Sequence, residues 1–273
     1  MFPLFSWLPD SYPAAPSPVS AVFAGLLTKV GVYAIVRTQT LLFPETNREL
    51  LLVIAGLTMV IGVLGAIAQS DMKRILSFHI ISQIGYMIMG VALGGVAAIS
   101  ATIFYMLHHI PVKTSLFLVE GIVERETGSS TLGNVSGLAR RSGPLAVLFL
   151  IPAFSLAGLP PFSGFLGKTA VVTEGLDQRS WWIVAAAIVV SLMTLVSMLK
   201  IWSGAFWGAP DPAPAGAGHA GILRKHPMMA AVTTAVVTLT LMIALFAGPL
   251  YRFCERAATD VTDATSYPSA VLR

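Results

Sequence analysis

Long apolar runs, each near the length needed to cross a bilayer, follow one another along the chain. Runs of roughly 20 residues lie near 17–38, 50–69, 74–94, 97–122, 144–174, 181–207 and 228–249. The pattern predicts an all-α polytopic membrane protein of about seven transmembrane helices. The fifth run is too long for one straight span. Leu159, Pro160 and Pro161, followed by Gly164 and Gly167, predict that it breaks into two half-helices, because proline removes a backbone donor and clashes with the preceding turn. Irregular backbone at membrane depth is tolerated only inside protein or beside a water-filled cavity. Pro111 predicts a kink in the fourth run for the same reason.

The polar residues inside these runs carry the chemistry. Lys29, Lys113, Lys168 and Lys200 stand in otherwise apolar segments. A lysine near a bilayer centre costs about 2.5–3.5 kcal/mol on insertion scales, and four in one chain predict a polar path through the membrane. Burial penalises the charged form of an amine, so a lysine held there is suited to take up and release a proton. His109 and Lys113 are four residues apart and share a helix face, with His108 adjacent. A proton relay, a satisfied core pair and a metal fragment are the competing readings of the two histidines. The relay is favoured by Lys113 and the metal disfavoured, since no second cluster of ligands is visible. Lys168 follows the predicted break, where helix termini and a cavity would meet it. Lys200 lies near the end of its span, where snorkelling competes with conduction. Ser77, His79, Ser82, Gln83 and Tyr86 make a polar stripe in the third run, suited to helix packing or, through His79, to a water chain. Glu120 and Glu174 lie near span ends, so the chain looks equipped for protons and poorly equipped to select sodium.

Composition supports this class. The chain is 55% hydrophobic and 11% charged, with mean hydropathy +0.79, against about 25% charged residues in a soluble domain. The net charge of +4 is scattered and does not suggest nucleic-acid binding. The single Cys254 excludes an internal disulfide framework and a cysteine-cluster metal site. No cofactor motif is present. A retinal protein is disfavoured, because the last run lacks a lysine for a Schiff base. Lys73, Arg74, Arg125, Arg140, Arg141, Arg224 and Lys225 fall on one side; Arg37, Arg48, Arg179, Arg252, Arg256 and Arg273 fall on the other. The positive-inside rule places the first set in the cytoplasm and the C-terminal tail outside.

The first residues, MFPLFSWLPD, lack the basic and apolar regions of a signal peptide and resemble the tail of an earlier helix. A faint internal echo pairs the Pro-rich start and Lys29 with the Pro-rich break and Lys200, as in transporter folds built from repeats. The expected division is 1–49 as the end of a first repeat, 50–207 as a five-span second repeat, 208–227 as a linker, and 228–273 as the last span and tail.

WLPDSYPAAPSPVSAVFAGLLTKVGVYAIVR resembles the signature of the antiporter-like membrane subunits shared by respiratory complex I, membrane-bound hydrogenases and Mrp-type multisubunit Na+/H+ antiporters. SDMKRILSFHIISQIGYMIMG, FYMLHHIPVKTSLFLVEGIVERETG and LAGLPPFSGFLGKTAVV continue the resemblance. GLLTKVGVYAIVR, FYMLHHIPVKT, MLKIWSGAFWG and the ending near YPSAVL are most similar to the D-type subunits of the Mrp branch, and Tyr12 stands where complex I relatives usually show histidine. The resemblance implies two inverted repeats, each with a broken helix, of which this chain would carry the end of the first and the whole second. Lys29 then matches the central lysine of the eighth span and Lys168 the lysine after the twelfth-span break. His109 and Lys113 fall in the eleventh span, Lys200 in the thirteenth. The family's glutamate of the fifth span and lysine of the seventh would lie before Met1, so the chain is expected to be a partial subunit.

The resemblance further implies a proton-translocating subunit of a bacterial plasma-membrane cation/proton antiporter, working with partner subunits and sodium. The alternatives are a complex I or hydrogenase subunit, and a non-transporting scaffold fragment.

Overall fold

Among the described residues, glycine ends three of the helices, at Gly94, Gly128 and Gly158, and proline stands in the first turn of four. The computed structural model describes residues 1–43, 47–208 and 221–263. The helices are α1 (Leu8–Ala14), α2 (Ser17–Val22), α3 (Thr28–Leu41), α4 (Arg48–Ala68), α5 (Met72–Leu93), α6 (Gly95–Thr127), α7 (Leu138–Arg141), α8 (Gly143–Ala157), α9 (Ser163–Asp177), α10 (Trp181–Ile201), α11 (Gly221–Lys225), α12 (Pro227–Leu245) and α13 (Ala247–Thr262). A π-helical turn at Phe23–Leu27 joins α2 to α3, and another at Trp202–Phe206 extends α10. Among the described residues there is no strand, only an isolated bridge between Asp71 and Thr131.

Among the described residues, six stretches are long and apolar enough to cross a membrane: Ser17–Leu41, Arg48–Ala68, Met72–Leu93, Gly95–Thr127, Trp181–Phe206 and Pro227–Leu245. The pair α8 and α9 makes a seventh, broken crossing. At the break, Gly158 takes a left-handed conformation (φ 85°) and its N–H donates to the carbonyls of Phe154 and Ser155. This is a glycine-terminated helix end. Pro160 and Pro161 cannot continue it, and α9 restarts at Ser163.

α5 is the central helix. Of its 22 residues only Arg74 and Phe78 are not buried, and it packs against α1, α3, α4, α6, α9 and α10. A helix enclosed on all sides is buried whether its residues are polar or apolar, so its polar stripe faces protein. Close approach of α4 and α5 depends on small residues. A Cβ on Gly62 would stand 2.5 Å from the backbone nitrogen of Ser82, and one on Gly85 would stand 2.8 Å from the Ala55 carbonyl.

α6 is longer than the fourth apolar run. Its 33 residues span about 50 Å at 1.5 Å per residue, against a hydrocarbon core of about 30 Å. Pro111 lies inside it without ending it, so no break of the α8–α9 kind occurs there. α12 and α13 run antiparallel along α6, with Met229 near Gly121, Tyr251 5.7 Å from Phe104 between ring centroids, and Ala258 against Ile99 and Val36.

The region after the last apolar run therefore differs from a plain tail, because α13 continues the antiparallel packing. Its apolar residues Tyr251, Cys254, Ala258 and Val261 recur at helical spacing within a polar sequence, which a search for apolar runs does not detect. The linker expected within 208–227 falls largely outside the described residues, as does the end of the tail.

Candidate functional site

The chemistry converges where α6 crosses α5 and the broken pair. α6 supplies Tyr105, His108, His109 and Lys113, all buried. α9 begins against it. His108 Nδ1 is 2.8 Å from Ser163 Oγ, which lies 3.4 Å from Ser155 Oγ on α8. Two glycines let α9 approach. A Cβ on Gly164 would overlap the Ser155 carbonyl and stand 3.1 Å from His108 Cε1, and one on Gly167 would stand 2.7 Å from the Tyr105 ring.

Lys168 sits one turn into α9. Its Nζ donates to the Ala157 carbonyl and to Ser191 Oγ, both at 3.1 Å, and Ser191 Oγ donates to the same carbonyl at 2.9 Å. The amine also lies 5.1 Å from the Tyr86 ring centroid. Ala157 is the last residue of α8, and the terminal carbonyls of a helix lack intrahelical donors. The break thus gives Lys168 a carbonyl at the negative end of a helix dipole. Tyr86 donates in turn to the Ala187 carbonyl on α10.

Lys29 is 3% exposed. Its Nζ donates to the Ala24 carbonyl at 2.6 Å and to Thr28 Oγ1 at 3.2 Å. Ala24 lies in the π-helical turn. Such bulges alter the usual carbonyl pairing and are frequent at functional sites. Lys113 Nζ donates to the Leu76 carbonyl of α5 at 3.1 Å. Each of these three lysines therefore meets carbonyl or hydroxyl oxygen, and among the described residues none pairs with a carboxylate.

The histidines lie among the lysines. His109 is within electrostatic range of Lys29, Lys113, His108 and Lys168. His79 is within range of Lys113 and Lys168 and bonds Ser197 on α10 through Nε2. His79 Nδ1, His108 Nε2 and both ring nitrogens of His109 are buried with no hydrogen-bond partner among the described residues. Such groups are where buried polar networks take up water. No group of three or more metal-ligating side chains occurs among the described residues.

Lys200 stands apart. Its Nζ donates to the Ile67 and Gln69 carbonyls at 2.8 and 2.6 Å, which closes the C-terminal end of α4. Ser163, Ser191 and Ser197 were not singled out in the sequence. Serine is ordinary in membrane helices, and only the packing brings these three against His108, Lys168 and His79. Glu120, placed near a span end by the sequence, is fully buried, since α2 and α12 cover that end of α6.

Comparison with known proteins gives consistent matches. The family described as NADH:quinone oxidoreductase/Mrp antiporter, TM matches residues 1–194. The D-type subunit of the Na(+)/H(+) antiporter of Alkalihalophilus pseudofirmus is 43% identical over 276 aligned residues, covering 100% of this chain and 55% of the relative. The Mrp complex structure from Dietzia sp. superimposes with a TM-score of 0.90 at 37% identity, over 100% of this chain and 58% of that one. Respiratory complex I from Thermus thermophilus superimposes with a TM-score of 0.82 at 26% identity, over 96% of this chain and 55% of that one. The chain spans about half the length of the curated relatives it matches.

Proposed function

This chain belongs to the NADH:quinone oxidoreductase/Mrp antiporter membrane family, and from that premise we propose that it is the proton-translocating part of a D-type subunit in a multisubunit monovalent cation/proton antiporter. The observation that carries the reading is the set of three buried lysines, Lys29, Lys113 and Lys168, bonded among the described residues to carbonyl and hydroxyl oxygen and within electrostatic range of His79, His108 and His109. A lysine locked to a carboxylate would be held in one charge state. An amine facing a carbonyl can carry its proton or release it.

In this reading a proton passes between Lys29, His109, Lys113 and Lys168, with His79 between Lys113 and Lys168 on the α10 side. No two of the six basic groups are hydrogen-bonded directly among the described residues, so water bonded to the free ring nitrogens bridges them. The tautomer of His79 follows from Ser197, whose hydroxyl donates to the Thr194 carbonyl at 3.0 Å. His79 Nε2 then donates to Ser197, and Nδ1 is left to accept a proton. We leave Lys200 outside the relay, because its amine is taken by the end of α4.

The cation exchanged is sodium, handled with partner subunits, and the chain acts as a transporter subunit with no cofactor of its own. We place it in the bacterial plasma membrane, with Lys73 and Arg125 on the cytoplasmic side and the C-terminal tail outside. Higher identity and TM-score to the Mrp complex than to complex I support the antiporter reading over the redox-complex one. The test is dye-quench measurement of cation/proton exchange in everted vesicles holding the complete complex. Loss of exchange with Lys168→Ala, at unchanged assembly, supports the reading. Undiminished exchange refutes it and leaves the scaffold alternative.

A further inference from the structure

Glu120 is a buried carboxylate that the relay does not use. It lies on α6 seven residues beyond Lys113, two helical turns and about 10 Å along the same face. The side chain is fully buried, and its Oε1 has no hydrogen-bond partner among the described residues. Its Oε2 lies 3.2 Å from Ser17 Oγ on α2, and the same hydroxyl lies 3.2 Å from Glu124 Oε2. Glu124 accepts from Lys73 Nζ at 2.7 Å. The Glu124 side chain is 40% exposed and that of Lys73 6%, so the row is wet at one end and dry at the other. Gly121 makes room for the serine, since a Cβ there would stand 2.5 Å from Ser17 Cβ.

Hydrogen-bond counting places a proton in this row. A serine hydroxyl has one proton to donate, yet Ser17 Oγ is in reach of two carboxylate oxygens. Both contacts are hydrogen bonds at once only when one carboxyl carries its own proton. Glu124 is held by the Lys73 ammonium, so that proton belongs on Glu120. Charge counting agrees. With both carboxyls ionised the row sums to one negative charge, and one proton brings it to zero. Three other charged groups on this end do not supply the balance. Asp71 adds negative charge within range of Glu120 and caps α5, while Arg74 pairs with Asp10. Arg125 contacts Met229 of α12. A hard metal cation would need several oxygen ligands, and here an ammonium occupies part of the site.

We propose that Glu124, Ser17 and Glu120 form a proton port, joining water at the Lys73 end of the molecule to the buried relay at Lys113. The inference rests on the reading of the chain as proton-translocating. In the step, once Glu120 has passed its proton on toward Lys113, a proton taken up on Glu124 Oε2 passes to Ser17 Oγ as the serine's own proton passes to Glu120 Oε2. Ser17 gains one O–H bond and loses one, and a rotation of the hydroxyl resets it. The two turns from Glu120 to Lys113 are crossed through water.

The experiment uses everted vesicles carrying the chain in its complete complex. Glu120→Gln keeps the shape and the contact with Ser17 but holds no exchangeable carboxyl proton. It should slow exchange about tenfold or more at unchanged membrane abundance, and Ser17→Ala should do the same. Acid-minus-alkaline infrared spectra of the purified complex give a readout that a purely structural role would not move. Wild type should show the C=O band of a water-excluded protonated carboxyl, and Glu120→Gln should lack it. Normal exchange in Glu120→Gln, loss of abundance that accounts for the whole effect, or no band difference between the two proteins overturns the port. Should Lys168→Ala leave exchange intact, the relay reading falls and the infrared difference alone decides the port.

Discussion

Lys168 Nζ lies 3.1 Å from the carbonyl of Ala157, the residue at which α8 stops. Two residues eleven apart in sequence meet because Gly158, Pro160 and Pro161 turn the chain back between them. The amine thereby gains an acceptor at a helix end, and the carbonyl gains a donor that the interrupted helix could not give it.

That relationship predicts the behaviour of substitutions at Lys168. Lys168→Ala removes the proton carrier and should lower exchange by about 100-fold or more, the usual span for a positioned acid or base. Lys168→Arg keeps the charge and can still meet Ala157, yet guanidinium does not release its proton, so it should fail as well. Initial exchange rates in everted vesicles decide this. A near-normal arginine variant would mean that fixed positive charge is enough.

Gly164→Ala should damage folding and not proton chemistry alone. The added Cβ would overlap the Ser155 carbonyl and crowd His108, and backbone cannot give way as a flexible side chain can. Overpacking of this kind costs about 1–3 kcal/mol. The thermal midpoint of the detergent-solubilised complex should fall, and Gly143→Ala, where a Cβ meets nothing within 4 Å, serves as the control.

Lys200 should tolerate arginine where Lys168 does not. Its partners are the Ile67 and Gln69 carbonyls, which a guanidinium can also serve. Lys200→Arg should keep most of the exchange rate. Lys200→Met leaves those carbonyls without a donor and should cost about 1–3 kcal/mol, read as lower stability. Abolished exchange in the arginine variant would return Lys200 to the relay.

Cys254 reports on whether α13 stays docked. The thiol is buried against its neighbours, and burial pushes it up to about 11 from an ordinary value of 9.0. The folded state favours the neutral thiol, so this contribution to stability is complete below pH 9.0 and is lost as pH rises to about 11. Maleimide labelling of native membranes should be slow at neutral pH and fast after denaturation. Rapid labelling in the native state would show that α13 leaves α6.

Much of the architecture was legible in one dimension. Apolar runs gave the crossings, and a proline pair flanked by glycines gave the broken one, since both follow from local backbone chemistry. The buried lysines were visible because a charge in an apolar run is conspicuous wherever it occurs. Their environment was not. The partners of Lys29 and Lys168 depend on where a π-turn and a helix break leave carbonyls, and that of Lys113 on how α5 packs against α6. Glu120 looked terminal because α6 outruns its apolar run, and only the cover of α2 and α12 buries it. α13 escaped notice because its apolar stripe is sparse in a polar segment. Lys200 stood in an apolar run like the other three, though near its end, and the approach of α10 to the end of α4 gives its amine a different task. Sequence by itself marked which charged groups stand inside apolar runs, because transfer cost belongs to each residue. Tertiary structure decided what each group meets there, because a hydrogen bond belongs to two residues that the chain sets far apart.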